Sequence, residues 1–290
     1  MVRNVRPRVA RVAGRWWARL DYARRVEPKW LAVTRLQVPV RGLPHAFAGF
    51  RIAHLSDFHL HDHATIERAH EAVRLANAAK PDLVALTGDF IHNGHGGVEV
   101  AGRIAGSLKA RHGIVAVLGN HDWAVRSYWL RRYHLRQRTR RHLRRALRYT
   151  LRAYGVQVLQ NDAVVIEHHG AQLAIVGLED LWSRRCDVDR AMRRLNPQLP
   201  RILLAHNPMA IEALNGHRCD LMLAGHTHGG QVKLLQHRLF ALGKAVRHYR
   251  AGLFETKQGF LYVTTGVGCG SFRMRYGVRP EVAIVELVPA

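Results

Sequence analysis

Residues 221–231 read Leu221-Met222-Leu223-Ala224-Gly225-His226-Thr227-His228-Gly229-Gly230-Gln231, four apolar side chains followed by a glycine-flanked pair of histidines. A short apolar run that stops at glycine and imidazole reads as a buried strand with its chemistry at the carboxyl end. The same construction recurs outward along the chain. Apolar, β-branched runs span Phe50–Asp57, Asp82–Asp89, Gly113–Asp122, Ala171–Asp180, Arg201–Pro208, Phe260–Gly268 and Glu281–Val288. Among the residues that close or follow them are Asp57-Phe58-His59, Gly88-Asp89, Gly119-Asn120-His121-Asp122 and His206-Asn207-Pro208. Helix-like stretches at 64–80 and 97–111 separate the early runs, so the first half reads β-α-β-α-β. Near-continuous apolar strands need cover on both faces, which predicts an α/β protein. The later strands lie closer together in sequence and predict a second sheet, partly antiparallel, packed on the first.

The strand ends carry carboxylate, imidazole and one amide, with no thiolate. Within Asp57/His59 and His226/His228 the two-residue spacing points both side chains one way if the backbone stays extended. Such donors suit a first-row divalent ion such as manganese, iron or zinc, and seven groups are too many for one ion. Two ions are therefore expected, close enough through a shared carboxylate to act together on a phosphoryl group and a water.

The chain has 290 residues and is 48% hydrophobic, enough for a large core, which excludes a disordered or fibrous protein. Cys186, Cys219 and Cys269 are too few and too scattered for a disulfide framework, so a reducing compartment is expected. No stretch approaches the ~18 apolar residues of a spanning helix, and the start lacks the apolar core of a secretory signal. The net charge of +24 is concentrated. Residues 1–50 carry 11 basic and 2 acidic side chains, and 123–160 carry 11 and none, so two segments account for most of it.

Both basic segments have an apolar pattern as well. Val5, Val9, Val12, Trp16 and Leu20 recur at helical steps while Arg8, Arg11, Arg15 and Arg19 take other faces. This predicts a short amphipathic helix in an anionic membrane interface, with Trp16 and Trp17 at headgroup level; the alternative is a helix packed on the domain with its arginines in solvent. From Trp123 to Leu151 the chain reads as a second basic helix, with Tyr128, Trp129, Tyr133, Leu135, Leu143 and Leu147 among the arginines. Beside the site it would bind anionic headgroups or phosphate, form a solvated flap, or track nucleic acid.

The five blocks, in this order, resemble the calcineurin-like metallophosphoesterases from about Leu43 to Val288. Ser56-Asp57-Phe58-His59-Leu60, Ala224–Gln231 and Gly277-Val278-Arg279-Pro280-Glu281 look most like the bacterial YaeI/YkuE branch. The resemblance implies a four-layer α/β/β/α sandwich over 43–290, and the basic segment 1–42 and the Arg-rich helical insertion at 123–152 are where this sequence departs from the family's plain catalytic core. It implies two divalent ions, manganese before iron or zinc. Asp57, His59 and His228 would hold the first, Asp89 would bridge, and Asn120, His206 and His226 would hold the second. His121 would be the acid that protonates the leaving oxygen, oriented by Asp122. That branch includes membrane-associated phosphodiesterases and a lipid A pathway hydrolase acting on UDP-2,3-diacylglucosamine. The expected function is accordingly hydrolysis of a phosphodiester or pyrophosphate in a lipid or nucleotide-lipid substrate, by a peripheral protein on the inner face of the cell membrane. A metal-dependent nuclease and a non-catalytic membrane-binding scaffold are the alternatives. Of the remaining histidines, His61 and His92 are expected to line the mouth, and His45, His63, His95, His112, His168, His169 and His217 to be surface residues. Glu179-Asp180 with Trp182 matches a block of the branch, or is a strand end with a packed indole.

Overall fold

The computed structural model describes residues 16–92, 94–123, 137–233, 248–270 and 273–290. Among these described residues, twelve strands form two six-stranded sheets. The first holds β1 (Ala32–Val40), β2 (Arg51–Leu55), β3 (Leu83–Thr87), β4 (Ile114–Val117), β5 (Val156–Val158) and the last strand, β12 (Glu281–Pro289), in the order β1-β12-β2-β3-β4-β5. The second holds β6 (Asp162–His168), β7 (Ala171–Gly177), β8 (Arg201–Leu204), β9 (Leu221–Ala224), β10 (Gly252–Thr256) and β11 (Gly259–Val263), in the order β10-β11-β9-β8-β7-β6. The central pairs are parallel, whereas β12–β2, β6–β7 and β10–β11 are antiparallel.

Strand alternation sorts the apolar residues into three layers of core. Leu83 and Ala85 of β3, Val115 and Val117 of β4, Ile202 and Leu204 of β8, and Leu221 and Leu223 of β9 meet between the sheets. The intervening residues Val84 and Leu86 face outward, against α1 (His63–Ala78), α2 (Val98–Gly106) and α3 (Gln137–Ala153). On the far side Leu203, Met222 and Ala224 pack with Val188, Ala191 and Met192 of α4 (Val188–Met192) and with Ile211 and Leu214. The result is the expected α/β/β/α sandwich. Helix α1 starts at a reciprocal cap: Asp62 Oδ1 accepts the Thr65 N–H at 2.9 Å while Thr65 Oγ1 accepts the Asp62 N–H at 3.1 Å.

Three features depart from the sequence reading. Residues 32–40, assigned there to the basic N-terminal segment, pair in register with 281–289 as the edge strand of the first sheet. Arg35, Gln37 and Pro39 give that strand a polar, interrupted pattern that an edge tolerates and an interior strand does not. Strands β6 and β10 were passed over for the same reason, and β5 is only three residues long. Helix α3 belongs to the outer layer, because Leu143, Leu147 and Leu151 recur every four residues and are wholly buried there. Residues 124–136 of the expected insertion, and 1–15 of the expected interfacial helix, lie outside the described residues.

Candidate metal centre

The strand-end blocks converge where the carboxyl ends of β2, β3, β4, β8 and β9 meet across the two sheets. The route is not the extended one. Asp57, His59, Asp89, His226 and His228 have φ of 57°, 48°, 53°, 71° and 50°, so each chain end turns through left-handed backbone to present its side chain. Non-glycine residues rarely adopt that conformation, and its concentration here marks strain held by the surrounding fold. Gly225 permits the close packing: a Cβ there would collide with Ser56 Oγ and Asp57 Oδ2.

Two clusters share one carboxylate. Asp57, His59 and His228 form the first: His59 Nε2 is 3.0 Å from His228 Nε2, and Asp57 Oδ1 is 3.5 Å from His228 Nε2. Asp89, His206 and His226 form the second, with His226 Nδ1 3.2 Å and Asn120 Oδ1 3.1 Å from His206 Nε2. Asp89 Oδ2 stands between them, 3.5 Å from His59 Nε2 and 3.3 Å from His206 Nε2. Its other oxygen, Oδ1, accepts the main-chain N–H of His121 at 2.8 Å.

The donor chemistry calls for cations. His206 Nδ1 lies 2.7 Å from the Thr87 carbonyl, which can only accept, so Nδ1 carries the proton and Nε2 presents a lone pair. That lone pair faces the oxygens of Asp89 and Asn120 and the His226 ring, a convergence of acceptors that is unfavourable until a positive charge sits among them. Without metal a proton serves: burial opposes it, but the Asp89 carboxylate raises the His206 pKa to about 10. Burial would raise Asp89 too, yet His206 and His121 hold it well below the usual carboxylate range. Burial pushes Asp57 up to about 6 against the pull of His206. It also depresses His59 and His228, and takes His226 down to about 3, which leaves three neutral imidazoles able to ligate.

Residues 50–230 match the calcineurin-like phosphoesterase family, a span that covers all seven grouped residues. The chain is a calcineurin-like metallophosphoesterase. This metallophosphoesterase is 32% identical to the phosphodiesterase YaeI of Escherichia coli over 92% of each chain. It is 30% identical to the metallophosphoesterase YkuE of Bacillus subtilis, over 92% of this chain and 88% of that one. It is also 29% identical to the UDP-2,3-diacylglucosamine pyrophosphatase LpxG of Chlamydia muridarum, over 91% of this chain and 92% of the relative.

Other expected residues of the metallophosphoesterase fall as follows. His121 reaches the site, its ring centroid 4.7 Å from that of His59. Asp122 does not orient it. The Asp122 oxygens accept the N–H groups of Gly119 at 2.9 Å and Ile91 at 3.2 Å, and burial with the nearby Asp89 charge raises this carboxyl to about 8. The His121 ring is aligned instead by the His92 carbonyl, 3.0 Å from Nδ1. His92 stacks on His121 at 5.2 Å, with His61 5.1 Å beyond it, so both lie beside the first cluster as expected. Trp182 packs its ring edge against His226 at 4.5 Å, and Asp180, buried and raised to about 6 by that burial, caps the turn through Ser183. His112 and His168 pair with each other, and His217 with Asp189, away from the centre.

Two charged residues near the C-terminus were given no role in the sequence reading. Glu281, quoted only as part of a motif, accepts from Tyr262 Oη, Thr264 Oγ1 and the Thr265 N–H, tying β11 to β12. Arg275, not singled out at all, is wholly buried beside His228. Its position in a run of arginine, glycine and aromatic residues reads as surface, and only burial distinguishes it.

Proposed function

We propose that this metallophosphoesterase uses two divalent ions to hydrolyse a phosphodiester or pyrophosphate bond in a lipid-linked substrate, met at an anionic membrane surface. The observation that carries the two-ion reading is the place of Asp89 Oδ2, 3.5 Å from one imidazole cluster and 3.3 Å from the other. Asp57, His59 and His228 would hold one ion, Asn120, His206 and His226 the other, and Asp89 both. Oxygen and nitrogen donors without sulfur favour manganese, with iron and zinc as alternatives. When bound, the ions supply the charge that polarises a phosphoryl group and acidifies a water for attack.

The protein's own groups do the rest. The Thr87 carbonyl fixes His206 with its lone pair inward, and the His121 N–H fixes Asp89 so that only Oδ2 is shared. The His92 carbonyl accepts a hydrogen bond from His121 Nδ1–H, which leaves Nε2 as the atom that would protonate the leaving oxygen.

The lipid part of the reading is supported by the similarity to a protein named for UDP-2,3-diacylglucosamine and by the N-terminal surface. Trp16 and Trp17 are 54% and 70% exposed on a helical turn at residues 16–21, with arginines close by. Among the described residues no helix is long and apolar enough to cross a membrane, and attachment at the inner face of the membrane is the arrangement we propose.

The test is hydrolysis, by manganese-loaded protein, of UDP-2,3-diacylglucosamine in mixed micelles, of a small chromogenic phosphodiester, and of single- and double-stranded DNA. Preference for the lipid substrate is expected. Equal turnover by the metal-stripped protein would overturn the two-ion reading, and preference for DNA would replace the lipid reading with that of a nuclease.

A further inference from the structure

A guanidinium with no exposed surface and, among the described residues, no carboxylate within salt-bridge distance is a costly thing to keep. Arg275 is such a group: the Asp57 charge attracts it from further off, and its donors go to the Cys269 side chain and to main-chain carbonyls. Nη2 donates to Thr265 O at 2.8 Å, to Gly266 O at 3.1 Å and to Gly268 O; Nε donates to Gly268 O at 3.1 Å; Nη1 donates to Val278 O at 3.3 Å. One side chain thereby binds the start of the β11–β12 connection to its end.

The start of that loop lies directly on the metal ligands. The Val267 N–H donates to Ser56 O at 2.9 Å and the Gly268 N–H to Asp57 O at 2.7 Å. A Cβ on Gly268 would collide with the carbonyl oxygens of Asp57 and Phe58, so the loop presses on the left-handed turn that presents Asp57. Arg275 Nη2 also sits 3.5 Å from His228 Nδ1, on the side of the ring away from the cluster atom Nε2; with Nε2 free to ligate, Nδ1 keeps the proton, so the guanidinium packs against that edge of the ring and donates nothing to it. The supports of Asn120 and His206 are different: His206 stands on the Thr87 carbonyl and faces Asn120 within the second cluster. None of the Arg275 bonds reaches them.

We infer that Arg275 is a positioning residue for Asp57 and His228, so that binding of the first ion depends on it and binding of the second does not. This rests on the two-ion reading above. Groups that orient metal ligands from outside typically govern affinity by about 10–100-fold. The Arg275 main chain is itself held by the N-terminal segment, its N–H donating to Ala23 O at 2.8 Å, while Glu27 accepts the Val278 N–H at 2.6 Å. The first-ion site therefore has its support fastened from outside the sandwich.

The experiment is manganese titration of the full chain, read by calorimetry and by metal content after gel filtration, for wild type, Arg275→Lys and Arg275→Met. Wild type should hold two ions. Each Arg275 variant should keep one tight ion and bind the other about 10–100-fold more weakly, at near-native melting temperature. In the Arg275→Lys background, His228→Ala should remove the remaining weak binding and spare the tight ion, whereas His206→Ala should remove the tight ion. Two ions at wild-type affinity in a folded Arg275 variant, or equal weakening of both, overturns the inference. A wild type that binds fewer than two ions overturns the two-ion reading instead. If the variants do not fold, hydrogen exchange on wild type decides: manganese should slow exchange at the Val267 and Gly268 amides, and unchanged exchange there refutes the proposal.

Discussion

The His121 ring is held by one main-chain acceptor, its Nδ1–H donating a hydrogen bond to the carbonyl of His92, 3.0 Å away. A carbonyl has no second proton state, so it fixes the ring without altering its charge and leaves Nε2 to exchange protons. His121→Ala should therefore leave two ions in place and lower kcat by about 10²–10⁴-fold. The loss should be larger for an alkyl than for a nitrophenyl leaving group, since the latter departs without a proton. Metal content beside kcat on both substrates checks this. Loss of metal, or equal losses on the two substrates, would remove His121 from the role of acid.

Asp122 has a different task from the one its adjacency to His121 suggests. Its two oxygens hold the Gly119 and Ile91 N–H groups, and thus the turn that carries Asn120 and His121. Asp122→Ala would leave two buried donors unpaired, at about 1–3 kcal/mol each. A lower melting temperature with unchanged leaving-group dependence is expected. A change in that dependence with full stability would return Asp122 to the proton relay.

The blocks around Asp57, Asp89, Asn120, His206 and His226 were legible in the sequence because each sits where an apolar run breaks, and burial on both faces makes such runs continuous. The way they converge was not. Extended backbone was the natural reading of Asp57-Phe58-His59, whereas both the aspartate and the histidine take positive φ. Nothing in a three-residue string shows that, because the strain is held by partners 30 to 200 residues away. Edge strand β1 was hidden by its own polarity. The burial of Arg275 and the alignment of His121 by a carbonyl depend on loops that meet only in the folded chain. Conversely, the arginines around Leu143, Leu147 and Leu151 drew attention away from the apolar stripe that decides where α3 packs.

Acid sensitivity should trace partly to His54, which lies wholly buried under the centre with Nε2 2.8 Å from Thr87 Oγ1. Burial lowers its pKa from 6.5 to about 3, so the folded protein refuses a proton that the unfolded chain accepts. This group's contribution to stability is complete above about pH 6.5 and is lost as the pH falls from there toward about 3. Between pH 7 and 5 the loss amounts to about 2 kcal/mol. Urea unfolding of metal-free wild type and His54→Gln at the two pH values measures it. The variant should lose less stability on acidification by about that amount, and parallel pH dependences would sink the assignment.

Membrane attachment through the N-terminal turn is the remaining expectation. Trp16, Trp17 and Leu20 are exposed together, 54%, 70% and 41%, and Arg24 and Arg25 follow within two turns. Indoles at the headgroup level and arginines near anionic lipid favour binding together, each basic group adding about 1 kcal/mol. The electrostatic part is screened by salt and the indole part is not. Trp16→Ala/Trp17→Ala should reduce sedimentation with phosphatidylglycerol vesicles at high salt more than at low salt, while hydrolysis of a small soluble diester stays unchanged. Replacing Arg24 and Arg25 by glutamine should do the reverse, weakening binding at low salt most. Ala23 and Glu27 fasten the same segment to the loop of Arg275, and neither variant replaces them, so the metal site should stay intact. Wild-type sedimentation by both variants at every salt concentration would leave this face as ordinary solvent-exposed surface.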